Sequence, residues 1–223
     1  MILRLTVFLA VFSIATLSCK KDDPDPVEPP PSEESGPDLV FKFQFDADAP
    51  RLNNVGQPDE IEDGNAGQSP EFNSISAHYI ELAPDAWTAL GTGEILYKGP
   101  ETDAGGTDAL DFDQSILKPG GEEFIRIPLS EIESGTYEWI RVSLSYQNYD
   151  IEYLFNGSTY SGTVASFIGF NTYISSYEIK NESIAVNDDR LQGYWGFETT
   201  VAGWTETTTG QAPEGATTVP NPL

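Results

Sequence analysis

Apolar residues in this chain recur at every second position, and no window of helical length holds a 3.6-residue period. Leu39, Phe41, Phe43 and Phe45 alternate with Val40, Lys42, Gln44 and Asp46, and Ile75, Ala77 and Tyr79 repeat the pattern. So do Ile125, Ile127 and Leu129, and later Ile140, Val142, Leu144 and Tyr146. A period of two puts alternate side chains on opposite faces, so each run predicts a strand with one face buried. Further strands are expected at 94–97, 148–155, 160–170, 173–179, 183–186 and 194–199, with a short piece around Trp204. Asn156-Gly157 predicts a tight hairpin between two of them, because both residues tolerate the positive φ of a type I′ turn. Eight to ten short strands separated by turn signals predict an all-β protein, an antiparallel β-sandwich.

The ends of the chain obey different rules. Arg4 precedes an almost wholly apolar run from Leu5 to Leu17, which is shorter than the ~20 residues that cross a bilayer and reads as an export signal over residues 1–18. Residues 20–37 hold six prolines and a single aliphatic residue, Val27, a composition that cannot bury enough apolar surface to fold. Residues 19–37 are therefore expected to be a disordered tether, and 38–204 the folded domain. Residues 205–223 are Thr-, Gly- and Pro-rich and are expected to form no closing strand, as a disordered tail or because the chain is cut short there. Within the domain, 46–71 reads as a long exposed loop and 99–121 as a Gly- and Asp-rich connection. The chain has one cysteine, Cys19, so the domain has no disulfide and relies on burial and strand pairing.

Charge narrows the partners. Thirty-six acidic residues face eleven Lys and Arg, for a net charge of −25, which argues against nucleic acid or anionic headgroups. No GxSxG elbow, HExxH helix, Walker loop or complete GxGxxG is present, and His78 is the single histidine. The chain is expected not to be an enzyme; a glycan-active enzyme built on two carboxylates is the least favoured alternative. Calcium prefers clustered oxygen ligands. Asp46, Asp48, Asp59, Glu60, Glu62 and Asp63 lie in one stretch, although without the EF-hand spacing, and solvated acidic loops are the plainer reading. Among four tryptophans, Trp87, Trp195 and Trp204 are candidates for stacking on a sugar or partner, against the plainer reading of Gly beside Trp as a crowded core crossing.

Thr16-Leu17-Ser18-Cys19 resembles the lipobox of bacterial lipoproteins, with Thr16 where that motif prefers leucine. The resemblance implies that Cys19 is acylated and becomes the mature N-terminus. Lys20-Lys21-Asp22-Asp23 is similar to the export signal of Bacteroidota surface lipoproteins, which implies an outer-membrane, outward-facing protein, with a periplasm-facing one as the alternative. Segments 74–82 and 135–137 look distantly like the MbnP-type copper-associated β-sandwich proteins. That likeness implies copper at His78 as an alternative to calcium in the acidic loop, without the second histidine such a site would use. The segments His78-Tyr79-Ile80-Glu81-Leu82-Ala83-Pro84, Gly169-Phe170-Asn171-Thr172-Tyr173-Ile174, 192–199 and 210–213 are similar to a family of Bacteroidota lipoproteins to which no activity is attached. The expected function is a membrane-anchored, non-catalytic domain that binds a glycan or protein ligand. Periplasmic metal handling is the alternative.

Overall fold

The computed structural model describes residues 36–53, 57–64 and 66–213. Cys19, Lys20-Lys21-Asp22-Asp23, the proline-rich tether and residues 214–223 lie outside the described residues. Among those described, twelve strands form: β1 (Asp38–Lys42), β2 (Glu71–Ala83), β3 (Glu94–Lys98), β4 (Glu101–Thr102), β5 (Ala109–Asp111) and β6 (Glu123–Pro128). They continue with β7 (Trp139–Phe155), β8 (Ser158–Phe167), β9 (Asn171–Glu178), β10 (Ser183–Leu191), β11 (Tyr194–Val201) and β12 (Trp204–Gln211). No α-helix is present among them; two short 3-10 turns, Phe112–Gln114 and Leu129–Glu131, are the only helical pieces. The all-β, antiparallel expectation holds.

A six-stranded antiparallel sheet runs β12-β11-β8-β7-β2-β3, and two smaller sheets, β10-β9-β5-β4 and β1-β6, pack on it. One core joins Tyr146, Ala165, Phe167 and Tyr194 of the large sheet to Phe112, Ile174, Tyr177 and Ile179. Phe167, 1% exposed, sits at its middle, with the rings of Phe112, Tyr146 and Tyr177 about it at centroid distances of 4.9–5.0 Å. Burying such a ring stabilises by roughly 2–3 kcal/mol. Tyr177 comes this close because β11 carries a glycine beneath it: a Cβ on Gly196 would lie 2.5 Å from Tyr177 Oη. A second core gathers Ala77, Ile80 and Leu144 of the large sheet with Phe41, Phe43, Phe124 and Ile125 from the β1–β6 side.

Three elements differ from expectation. The stretches 137–146 and 148–155 are one strand, β7, because Gln147 supplies no turn chemistry and β2 and β8 pair along it in succession. The 99–121 connection contains β4 and β5, and β5 makes the one parallel pair among the described residues, Leu110↔Thr172 and Asp111↔Tyr173. The expected tail begins with a strand instead: β12 pairs along the full length of β11, so the folded domain runs past 204 to at least Gln211. An edge strand exposed on both faces needs no apolar alternation, and threonine suits it, so the usual signal is missing.

Candidate functional site

β2 and β7 are the longest strands, and their register slips at three places. Phe72 and Ser74 face Tyr149 and Asn148, which leaves Asn73 as an extra residue in β2. Ser76 and Ala77 face Tyr146 and Leu144, which leaves Ser145 extra in β7; Ala77 and Tyr79 then face Leu144 and Ser143, which leaves His78 extra in β2. Bulges of this kind re-aim a side chain and recur beside binding sites. Here neighbouring strands fasten the two inner bulges: the His78 carbonyl accepts from Gly99 N–H at 2.6 Å, and the Ser145 carbonyl accepts from Ile168 and Gly169 N–H at 2.9 and 3.0 Å.

His78 thereby leaves the sheet's alternation and lines a cavity of about 260 Å³ with Lys98, Glu101, Asp108, Phe170 and Asn171. Its Nε2 lies 3.0 Å from Glu101 Oε1, and Lys98 Nζ lies 3.1 Å from the same carboxylate. Burial pushes the Glu101 carboxyl up, but the hydrogen bonds and charges of Lys98 and His78 outweigh it and hold it below its ordinary value. Glu101 is therefore ionised at neutral pH and only accepts, so the histidine proton sits on Nε2. On the far wall, Asn171 Nδ2 donates to Thr107 Oγ1 and to the Asp108 carbonyl, both at 3.0 Å. Thr107 Oγ1 donates in turn to Asp189 Oδ2 at 2.6 Å, which ties the 103–108 turn to β10. Asn171 Oδ1 is buried and, among the described residues, has no hydrogen-bond partner.

A second construction presents an aromatic residue. Trp87 is 93% exposed, in the turn after β2. Its main-chain N–H donates to Asp85 Oδ1 at 2.7 Å, and Thr88 Oγ1 closes the same turn on Asp85. Beneath it Glu81, fully buried, accepts from Gly93 N–H at 2.6 Å and from Arg141 Nη1 at 3.1 Å. Arg141 also donates to the carbonyls of Thr88 and Ala89. The loop that carries Trp87 is braced from below at its middle and at its C-terminal end.

The chain matches no protein-family model, no curated protein and no solved structure.

The other expected site residues do not join these groups. Asp46 and Asp59 spend an oxygen each on local turns, accepting from Asp48 and Glu60 N–H, and Glu62 and Asp63 are exposed in the same loop. Among the described residues no three His, Asp or Glu side chains are gathered as a metal ion requires. Trp204 stands at the tip of the β11–β12 hairpin, 77% exposed beside the positive-φ pair Ala202 and Gly203. Trp195, partly buried near the start of β11, lies over Gly210 of β12, where a Cβ would come within 2.6 Å of its ring. Glu101, Asn171, Glu81 and Arg141 carry no sequence signal as site residues. Their roles depend on neighbours 23 to 64 positions away in the chain, and no local pattern marks them.

Proposed function

We propose that the protein is a lipid-anchored, non-catalytic binding protein of a bacterial outer membrane, whose ligand enters the His78 cavity. The observation that carries this reading is the ionised Glu101 carboxylate, held between His78 and Lys98 at 3.0 and 3.1 Å and partly open to the cavity they line. A carboxylate accepts an O–H or N–H more strongly than a neutral oxygen does, and Glu101 has accepting capacity beyond its two partners. Glu101 and Asp108 add acceptors, Lys98 and His78 add donors, and Phe170, half exposed, adds a ring face. Such a set suits a small neutral molecule rich in hydroxyls, of the size of one sugar residue, at the end of a glycan. The anchoring half of the reading is supported by Cys19 in its lipobox-like setting and by the proline-rich stretch behind it.

Titration of the purified domain with a panel of neutral monosaccharides and amino sugars, followed by amide NMR, tests the binding. Saturable shifts around Gly99, Asp108 and Asn171 are expected, with about tenfold weaker binding in Glu101→Gln, the loss of one charge-assisted hydrogen bond. No saturable shift from any sugar would end the proposal. Incorporation of labelled fatty acid, lost in Cys19→Ala, tests the anchor separately, and protease treatment of intact cells tests outward display.

A further inference from the structure

A separate, larger cavity is an open cleft of about 710 Å³ between the six-stranded sheet and β9. Two strands reach it with their backbone edges uncovered. β5 pairs with β9 only through Thr172 and Tyr173, after which the chain leaves in the Phe112–Gln114 turn. From Ser175 to Glu178, β9 has β10 on one side and, among the described residues, no strand on the other. Across the cleft, β3 covers β2 only from Tyr79 to Leu82, and Lys118 bridges it at Ile75, so Asn73 and Ser74 are likewise without a strand on that side. An uncovered edge offers a row of N–H and C=O groups to an incoming strand.

The lining favours one kind of strand. Buried rings of Phe112, Tyr146 and Tyr177 form the floor. At the rim, Asp113 and Glu178 are exposed carboxylates, Asp113 accepting from Ser175 Oγ through one oxygen and leaving the other open, whereas Lys180 is engaged with Asp150 at 2.7 Å. The local surplus is negative, as is the whole chain.

We infer that this cleft is a strand-addition groove that takes an extended, cationic peptide segment of a partner protein, laid along β9 from Ser175 to Glu178. Four residues of β9 span roughly 13 Å. The incoming chain would exchange main-chain hydrogen bonds with that edge, direct alternate small apolar side chains onto the aromatic floor, and turn its lysines or arginines toward Asp113 and Glu178. The cleft is separate from the His78 cavity, and the inference stands whether or not that cavity binds a sugar.

The test uses three labelled pentapeptides against the full domain: one alternating lysine and valine, one with glutamate in place of lysine, and one with proline in place of valine. Fluorescence anisotropy is expected to show saturable binding of the first and about tenfold weaker binding of the other two, one through repulsion and one through lost N–H donors. Binding of the first should weaken about fivefold in Asp113→Asn/Glu178→Gln, both exposed enough to leave folding intact. Amide exchange at 175–178 should slow only with the lysine peptide. Equal binding of all three peptides, binding of none, or an unchanged affinity in the double variant would each overturn the inference. So would amide shifts at 175–178 caused by maltotetraose in place of the peptide, which would make the cleft a glycan site.

Discussion

Glu81 and Arg141 pose the sharpest question of any two residues, because a carboxylate with no exposure sits under a loop whose tryptophan is almost wholly exposed. Removing one partner of a buried pair leaves an uncompensated charge, while replacing both with apolar residues removes the problem as well as the pair. Arg141→Met is therefore expected to destabilise by about 3 kcal/mol, and Glu81→Leu/Arg141→Met by less than half of that. Urea unfolding measures both. The two variants should share faster proteolysis of the 84–93 loop, since each loses Arg141's bonds to Thr88 and Ala89, and the double variant also loses the Gly93 bond to Glu81. Neither role is legible in the chain itself. Arg141 alternates with Ile140 and Val142 as a solvent-facing residue would, and only the register Glu81↔Arg141 puts the two face to face.

Strands and turns were legible to the extent that local chemistry makes them. Asn156 and Gly157 have φ of 51° and 79° and join Phe155 to Ser158, as the dipeptide predicts. Gly157→Ala forces a Cβ into the left-handed region, and thermal or urea unfolding should show a loss of about 1 kcal/mol with the β7–β8 register kept. β12 shows the opposite case. Its residues Thr205 to Thr209 alternate nothing apolar, and it is a strand because β11 offers an edge to pair with. The bulges at Asn73, Ser145 and His78 belong to the same class. A bulge is a mismatch between two strands, and neither strand carries it alone.

At the scale of the whole molecule, two carboxylates of the large sheet hold the turn between β9 and β10. Glu198, 2% exposed, accepts from the N–H groups of Lys180, Asn181 and Glu182 and from Asn181 Nδ2, while Asp150 accepts from Lys180, Thr163 and Asn73. Burial raises both carboxyls, but these hydrogen bonds prevail and hold Glu198 below 4.5 and Asp150 below 3.8. A carboxyl lowered on folding stabilises fully above its ordinary value, and the stabilisation is lost as pH falls through the lowered one. Stability should thus be level above about pH 5 and fall steeply below pH 4, with the two sheets parting at this turn first. Glu198→Gln keeps one acceptor and cannot be protonated at the lost position. It should cost about 2 kcal/mol at pH 7 and flatten the fall below pH 4, read by urea unfolding across pH.

What the chain determined by itself is local in origin: alternating apolar residues for strands, Asn156-Gly157 for a hairpin, and a single cysteine that leaves the domain to burial alone. The fold class follows from these, because a period of two has few ways to bury one face. The cavity at His78, the braced loop of Trp87 and the edge-lined cleft were decided by tertiary structure. Each depends on which strand lies beside which and in what register. That pairing is a property of contacts between distant segments: His78 meets Glu101 and Asn171 only after β2, β4 and β9 have been brought together.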